Sequence, residues 1–267
     1  MQDRPDYYEV DALSHSRLKE IRKSPGHFKW SMDHESPSTD AMNLGSLVHA
    51  MILEPHTVED CFVVMPKFDR RTKQGKADRA KWLSDNPLST PLSQDEWDTA
   101  KAMSDAVYAH PEARDLVEGV IAHGSAEREY YWTDRRGISR KAKVDGVYYG
   151  GGGEQMVVDL KTTLDASPDS FRRSISKYCY GTQMSYYVEA AKCEPKAVII
   201  AVSKSPPYGV GLYQFGVDAI RRADIVKDRW LQTYLECEES GVWPSFWDTQ
   251  DVEIPDWFLA SNGVKDQ

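Results

Sequence analysis

An aspartate and a lysine stand two residues apart at the end of an apolar run, in the segment VVDLKTT at residues 157–163. Apolar residues that lead into polar ones are typical of a buried strand, and side chains alternate along a strand, so Asp159 and Lys161 are predicted to share one face. An acid and an amine on one face of a core strand suit a metal-bound phosphate, with the amine beside the attacking water. Chance surface ion pairs also produce Asp-x-Lys, so the pair needs support from elsewhere in the chain.

A second acid, Asp145, precedes this strand across a turn with four consecutive glycines at 150–153. Three segments are predicted to form an antiparallel meander, residues 127–132, 139–149 and 155–161. Neighbouring strands would bring the carboxylates of Asp145 and Asp159 together, where they could coordinate Mg²⁺, an ion that prefers oxygen ligands. Lys161 would then hold or polarise the attacking water, or neutralise charge on the phosphate.

Other polar residues could join this site. His49 stands inside an otherwise apolar predicted helix at 42–53, where a buried imidazole needs a partner such as a metal. A histidine in such a position is more often satisfied by an ordinary hydrogen bond. Gln183 and Tyr187 are four residues apart on a predicted helix at 180–192, so they share a face and could both hydrogen-bond phosphate oxygens.

The remaining pattern predicts the frame that carries these residues. Further helices are predicted at 14–23, 25–32, 93–110 and 218–239, and further strands at 196–203 and 211–217. Strands flanked by helices on both sides predict a mixed α/β sheet. The sequence contains no internal repeat or low-complexity linker, so we expect a single domain over residues 1–267.

The composition is typical of a soluble globular protein, with 40% hydrophobic and 28% charged residues. No apolar run approaches the roughly 20 residues that span a bilayer, and the N-terminus lacks a signal-peptide pattern. We therefore expect a cytoplasmic protein with no membrane partner. The four cysteines include no CxxC pair, which argues against a zinc ribbon or a disulfide framework and predicts free thiols.

The formal net charge of −9 bears on the choice of partner. A protein that merely coats DNA is usually basic, whereas an enzyme that meets phosphate through a divalent metal needs clustered carboxylates. The net charge therefore does not exclude nucleic acid. Residues 67–81 contain seven basic residues against two acids and are interpreted as either a solvated loop or an arm that follows phosphates.

Taken in order, these motifs resemble the PD-(D/E)XK nucleases of the RecB type, and most closely the nuclease domain of the RecE (exonuclease VIII) family. The shared motifs are GSLVHA at 45–50, Glu127, KVDG at 143–146, VVDLKTT at 157–163 and Gln183-x-x-x-Tyr187. The resemblance includes the N-terminal segments 13–30 and 45–55 and covers about residues 7–240. It implies a restriction-endonuclease-like fold, with a mixed central sheet flanked by helices and extra N-terminal helices.

The resemblance also assigns roles to residues. His49, Asp145 and Asp159 match metal-binding residues, and the backbone carbonyl of Leu160 would be a further ligand. Lys161 matches the active-site lysine.

Three other sets of residues take supporting roles by the same resemblance. Gln183 and Tyr187 match the motif that supports the site and contacts the substrate. Glu127 matches the upstream acid, and Glu129, which has the same strand parity, remains a rival. The candidate phosphate contacts are Arg17, Arg172, Arg173 and the 67–81 segment, although each is more often a solvated surface charge.

The implied activity is a Mg²⁺-dependent, ATP-independent exonuclease of double-stranded DNA, with Mn²⁺ able to replace Mg²⁺. It would degrade 5′ to 3′ and leave 3′ single-stranded overhangs for recombination by strand annealing. The implied partners are duplex DNA ends, a RecT-like annealing protein and further copies of the chain in a ring such as a tetramer, in a bacterial or phage-infected cell. The sequence contains no GxxxxGK[ST] phosphate loop, in keeping with independence from ATP.

Two alternatives stay open. One is a RecB-type endonuclease or flap-trimming enzyme, such as those that hold an iron–sulfur cluster with grouped cysteines, but Cys61, Cys179, Cys193 and Cys237 do not have that spacing. The other is a catalytically silent DNA-binding module of the same fold. Silent members usually lack an acid or the lysine, whereas this sequence keeps them.

Overall fold

The computed structural model of the protein describes residues 6–34 and 40–246. The helices are α1 (His15–Leu18), α2 (Pro25–Asp33), α3 (Asp40–Leu53), α4 (Val58–Cys61), α5 (Lys73–Asp85), α6 (Gln94–Ala109), α7 (Pro111–Ala122), α8 (Pro168–Tyr178), α9 (Tyr180–Ala191) and α10 (Val217–Ser240). The strands are β1 (Phe62–Val64), β2 (Thr90–Leu92), β3 (Arg128–Thr133), β4 (Ser139–Val144), β5 (Gly146–Tyr149), β6 (Gln155–Thr163), β7 (Ala197–Ser203) and β8 (Val210–Phe215). Short 3-10 turns cover Lys19–Arg22, Pro55–Thr57 and Gly151–Gly153.

The central sheet has four strands in the order β5-β6-β7-β8. Strand β6 pairs antiparallel with β5 and parallel with β7, and β8 pairs antiparallel with β7. Strands β3 and β4 form a separate antiparallel pair, and β1 and β2 form a short parallel pair. Parallel and antiparallel pairing within one sheet, with helices between the strands in sequence, confirms the predicted mixed α/β fold.

Side chains of β6 alternate between two hydrophobic clusters, one on each face of the sheet. Val157 packs in the cluster that contains Phe171 of α8 and Met184 of α9. Val158 and Leu160 pack in the other cluster, with residues of α3, α6 and α7. Because Asp159 and Lys161 have the parity of Val157, they lie on the face that α8 and α9 cover.

The predicted three-stranded meander is wrong at Asp145. The segment 139–149 is two strands, because β4 ends at Val144 and β5 begins at Gly146. Asp145 bonds in two directions at this break: its carbonyl accepts the Glu127 N–H (3.0 Å), and its Oδ2 accepts the Leu160 N–H (2.8 Å). The Asp145 side chain therefore accepts the Leu160 N–H of β6 where a backbone carbonyl would do so in a continuous strand. At this point the β3–β4 pair separates from the central sheet.

Most predicted helices are present with shifts of a few residues at their ends. Ser14 caps α1, and Ser93 and Glu96 form the predicted capping box of α6. Helices α7 and α8 were not predicted, nor was α5. The loop interpretation of residues 67–81 is wrong from Lys73 onward, because α5 begins there with the Thr72 hydroxyl accepting the Gly75 N–H (2.9 Å).

An ion cluster around two buried cations joins β4, α9 and α10. The Glu189 carboxylate accepts from Arg140 Nη1 (2.6 Å) and Lys227 Nζ (2.5 Å), and Lys227 also pairs with Asp224 (2.5 Å). Arg140 and Lys227 are buried, so each cation depends on these acids for compensation. The cluster fixes helix α9 against its neighbours, and α9 carries Gln183 and Tyr187.

Substitution Glu189→Gln is expected to lower the free energy of unfolding at pH 7 by about 2 kcal/mol. This is less than the roughly 3–5 kcal/mol for a fully buried pair, because the Glu189 side chain is 35% exposed. Burial raises the pKa of Glu189, but the hydrogen bond and charge of Lys227, together with Arg140, lower it below the ordinary value of 4.5.

The stabilisation from Glu189 is therefore present above pH 4.5 and lost as the pH falls below that value. Urea unfolding of both proteins at pH 7 and pH 3.5 would test this expectation. The difference between them should shrink at the lower pH, and an equal difference at both values would contradict the assigned role.

The state of the cysteines and the character of the helices can also be compared with the sequence predictions. All four cysteines are free, as predicted, and Cys61 is exposed. Within residues 6–34 and 40–246, no helix combines the length and apolar character that crossing a bilayer requires.

Candidate active site

Asp159 and Lys161 form a close ion pair near the end of β6. Lys161 Nζ lies 2.6 Å from Asp159 Oδ2, so the two side chains share one face as their spacing predicts. Asp159 is 0% exposed and the Lys161 side chain is 17% exposed. Lys161 Nζ also lies 5.3 Å from the ring centroid of Tyr180, the first residue of α9. The pair is thus enclosed between the sheet and α9.

His49, Glu127 and Asp145 form a second group from three separate parts of the chain. One ligand atom from each residue lies within 4.8 Å of the others. His49 Nδ1 is 3.5 Å from Glu127 Oε1 and 3.5 Å from Asp145 Oδ2. His49 comes from α3, Glu127 precedes β3, and Asp145 stands at the break between β4 and β5.

Glu127 reaches this group by a different route from the predicted one. The sequence pattern predicts Glu127 within a strand, but β3 begins at Arg128, and Glu127 has a left-handed backbone with φ 48°. The parity argument therefore does not apply to Glu127, and the hydrogen bond from its N–H to Asp145 fixes its position. Glu129 is exposed and accepts a hydrogen bond from the Tyr131 hydroxyl (2.9 Å), away from His49. The structure thus brings Glu127, and not Glu129, to the group.

The Asp159–Lys161 pair and the His49–Glu127–Asp145 group influence each other electrostatically. Burial raises the pKa of Asp159 to about 7 against the opposing charge of Lys161, and the charge of Asp145 adds to the rise. Burial lowers the pKa of His49, but the nearby carboxylates of Asp145 and Glu127 raise this pKa by more than burial lowers it, so the net shift is upward. The pKa of Glu127 is lowered, since the His49 hydrogen bond and the Lys143 charge outweigh burial. Crowded acids of this kind need positive charge to ionise together.

The residues present fit a divalent cation. The donors are carboxylate oxygens and one imidazole nitrogen, a set that Mg²⁺ and Mn²⁺ accept. Among the described residues, neither carboxylate oxygen of Asp159 has a hydrogen-bond partner, although Oδ2 is ion-paired with Lys161. A buried carboxylate oxygen without a donor requires an explanation, and a bound cation supplies one. The predicted role of the Leu160 carbonyl as a metal ligand stays a prediction. The N–H of Leu160 donates to Asp145 Oδ2.

Gln183 and Tyr187 lie on one face of α9, as predicted, and Gln183 Nε2 donates to the Tyr187 hydroxyl (2.9 Å). Tyr187 lines a cavity of about 430 Å³ together with His49, Glu127 and Asp145. Burial and the charges of Asp159 and Asp145 hold the pKa of Tyr187 well above its usual value. Its hydroxyl is therefore a neutral hydrogen-bonding group at the cavity wall.

The predicted phosphate-contacting cations are dispersed. Arg17 is half-buried on α1, and exposed Arg172 pairs with Asp169 (3.4 Å). Arg173 lines a cleft with Tyr180, close to Lys161. Within the 67–81 segment, Arg71 pairs with Asp69.

Lys143 is a site residue that the sequence interpretation missed. Its Nζ lies 3.0 Å from Glu127 Oε2, and its side chain lines the same cavity as His49. A signal was present, because Lys143 stands two residues before Asp145 in the alternating segment 139–149. The lysine thus supplies positive charge at one of the carboxylates that could hold a metal.

Substitution Lys143→Gln is expected to increase the affinity for Mn²⁺ about fivefold, because the lysine competes with the metal for Glu127 and a partly buried charge pair of this kind is worth about 1 kcal/mol or more. Isothermal titration calorimetry would measure the change. Lys101→Gln is the matched control, since Lys101 pairs with Asp105 on α6. Unchanged or weaker binding in Lys143→Gln would show that the two cations do not compete.

Comparison with known proteins places the fold. Residues 14–251 match the family described as "PDDEXK-like domain of unknown function (DUF3799)". The structure is similar to that of a Eubacterium rectale protein named "Putative exonuclease", with a TM-score of 0.61 and 14% identity over 98% of this chain and 99% of that chain. No curated protein matches the sequence. The family match confirms the expected PD-(D/E)XK fold.

Two other solved structures overlap less. The structure named SSO0001 has a TM-score of 0.28 and 13% identity, over 69% of this chain and 85% of that chain. LHK-Exo in complex with dAMP has a TM-score of 0.37 and 12% identity, over 86% of this chain and 94% of that chain. TM-scores below 0.5 do not establish a shared fold.

Proposed function

We propose that this chain, which belongs to the PDDEXK-like family DUF3799, is a divalent-metal-dependent nuclease that hydrolyses DNA phosphodiester bonds. The observation that carries the proposal is the buried Asp159–Lys161 ion pair at the end of β6, coupled in charge to Asp145 beside His49 and Glu127. Such a concentration of buried charge is costly for stability and therefore points to chemistry.

His49, Glu127, Asp145 and Asp159 would hold the cation, which when bound supplies Lewis-acid stabilisation of the phosphate and an activated water. Lys161 places a fixed positive charge next to Asp159. This charge would stabilise the negative charge that accumulates on the phosphate in the transition state. Gln183 orients the Tyr187 hydroxyl, which lines the cavity at His49, Glu127 and Asp145 and can position a phosphate oxygen there. Burial of Asp159 keeps bulk water from competing for these contacts.

The finer proposal is a Mg²⁺-dependent, ATP-independent exonuclease that degrades duplex DNA from 5′ to 3′. It rests on the resemblance to the RecE family, as do the 3′ overhang, the RecT-like annealing partner and the ring-shaped oligomer. The similarity of fold to the Eubacterium rectale protein named "Putative exonuclease" is compatible with this proposal. A ring would keep an acidic chain on DNA without a basic overall charge.

The test compares linear duplex DNA with covalently closed circular plasmid in Mg²⁺. Linear DNA labelled at the 5′ or the 3′ end should release mononucleotides from the 5′ end, and the circle should be attacked little. EDTA should stop the reaction, and the Asp159→Ala variant should show no hydrolysis of linear DNA. Equal cutting of the circle would reject the exonuclease in favour of an endonuclease, and no cutting of either substrate in Mg²⁺ or Mn²⁺ would reject the nuclease.

A further inference from the structure

We propose that α8 forms one wall of a cleft that binds an unpaired nucleic-acid strand as it passes the candidate active site. The cleft has a volume of about 370 Å³ and is lined by Thr162, Thr163, Arg173, Lys177, Tyr180 and Lys204, among others. It shares no lining residue with the 430 Å³ cavity at His49. The inference deepens the proposed nuclease function and rests on it for the source of the strand.

The cleft begins next to Lys161. Thr162 and Thr163 follow this lysine directly on β6, and both line the cleft. Tyr180 forms another part of the wall, and its ring lies against Lys161 Nζ at 5.3 Å. A strand in the cleft would therefore lie within reach of the lysine that faces Asp159.

Helix α8 presents a single polar face to the cleft. Apart from Tyr178, its cleft-lining residues have the spacing i, i+3, i+4 and i+7 of one helix face: Ser170, Arg173, Ser174 and Lys177. Phe171 is buried in the core and Ile175 packs against it, which fixes the helix with the polar face outward. Hydroxyls and cations are the side-chain groups that contact phosphate oxygens.

The cations of this face are available to a ligand. Arg173 and Lys177 are exposed, and within the described part of the chain neither forms a contact ion pair, although Asp165 lines the same cleft and its carboxylate attracts Arg173. Lys177 Nζ lies 5.2 Å from the ring centroid of Tyr178. Arg22 adds a further cation at the end of α8, where its Nη1 donates to the carbonyls of Ser176 and Lys177 (3.2 Å each). In a chain with a net charge of −9, this concentration of cations beside an acidic site is complementary to a polyanion.

An exposed aromatic ring favours an unpaired strand over a duplex. Tyr178 is 46% exposed and lies between the α8 cleft and a neighbouring cleft of about 310 Å³, which Lys19, Arg22 and Lys23 also line. The ring of Tyr178 is 5.7 Å from that of Tyr180. Unpaired bases stack on such rings, whereas the bases of a duplex are already stacked on each other. Both clefts are at the small end of the roughly 300–1,000 Å³ typical of ligand sites, which suits nucleotides of one strand.

The test measures binding without cleavage. A fluorescein-labelled single-stranded oligonucleotide is titrated with the full chain in Ca²⁺ at several salt concentrations, and anisotropy gives the affinity. The double variant Arg173→Ala/Lys177→Ala should reduce the magnitude of the slope of log affinity against log salt by about 1.4, since each lost phosphate contact on a single strand is worth about 0.7. Tyr178→Ala should weaken binding about tenfold with the slope unchanged.

The matched control is Arg221→Ala/Arg222→Ala, which removes two exposed cations of α10 that line neither cleft. Its slope should stay that of the unmodified chain, and an equal loss in control and test variants would overturn the inference. A closed duplex that binds as tightly as the single strand, with the same loss in the Arg173/Lys177 variant, would also overturn it. Failure of the nuclease proposal is separate: strand binding of the expected kind without hydrolysis rejects only the enzyme, and hydrolysis with an unchanged slope rejects only the cleft.

Discussion

Substitution Lys161→Met should lower the rate of phosphodiester hydrolysis by about 10²–10³-fold and leave Mn²⁺ binding intact. The physical reason is that Lys161 supplies a fixed positive charge in a largely buried site, where one such stabilising group contributes this much to a transition state. Its loss removes the ion pair with Asp159 at 2.6 Å but leaves the His49, Glu127 and Asp145 ligand group in place. Single-turnover cleavage of an end-labelled duplex and Mn²⁺ calorimetry would measure the two effects separately.

The matched control is Lys196→Met, because Lys196 is also a lysine in close ion pairs, with Glu154 (2.8 Å) and Glu194 (3.2 Å). Neither acid contributes to the His49 group, so the control should cleave at a rate within about twofold of the unmodified chain, as for an ordinary surface substitution. Retention of more than a tenth of the rate by Lys161→Met would contradict the role assigned to the lysine. Loss of Mn²⁺ binding in the same variant would instead indicate a purely structural role.

Asp145→Ala should reduce Mn²⁺ affinity by about 100-fold or more and also destabilise the protein. The affinity falls because the carboxylate belongs to the group with His49 and Glu127, and even residues that only support metal ligands contribute about 10–100-fold. The free energy of unfolding should fall by about 1–3 kcal/mol, because the Leu160 N–H loses the acceptor that it reaches at 2.8 Å.

A second variant separates the two effects. Asp145→Asn keeps a side-chain oxygen that can accept the Leu160 N–H, so its stability should remain near that of the unmodified chain while metal affinity is still lost. Asp105→Asn, at an exposed acid on α6, serves as the control for loss of a negative charge. Calorimetry with Mn²⁺ and urea unfolding give the two readouts. If Asp145→Asn binds Mn²⁺ normally, Asp145 is a structural residue of the strand break and not a metal ligand.

These two predictions divide the site into functions that the fold keeps apart. In the proposed mechanism Lys161 would act on the substrate from β6, whereas Asp145 would bind the cation, and Asp145 also stands where β4 and β5 separate. Asp145 can do both because its two carboxylate oxygens can bind different partners. The same residue thus links the geometry of the sheet to the proposed metal site.

Local geometry made part of this site predictable from the sequence. Alternation along β6 suffices to put Asp159 and Lys161 on one face, and the helical repeat suffices to put Gln183 and Tyr187 together on α9. Both relations connect residues two to four positions apart, and the regular backbone dictates them before any tertiary contact forms. The order of the motifs along the chain also indicated the fold, which the family match confirms.

Only the tertiary structure decided the choice between Glu127 and Glu129, because a left-handed residue and a hydrogen bond to Asp145 place the first beside His49 and leave the second in solvent. The break at Asp145 and the position of the α8 polar face beside Tyr180 and Lys161 were equally hidden. The physical reason is that periodicity fixes side-chain directions over a turn or two, whereas His49 and Glu127 are 78 positions apart. Contacts at such separations depend on how complete elements pack, and a local sequence pattern does not contain that information.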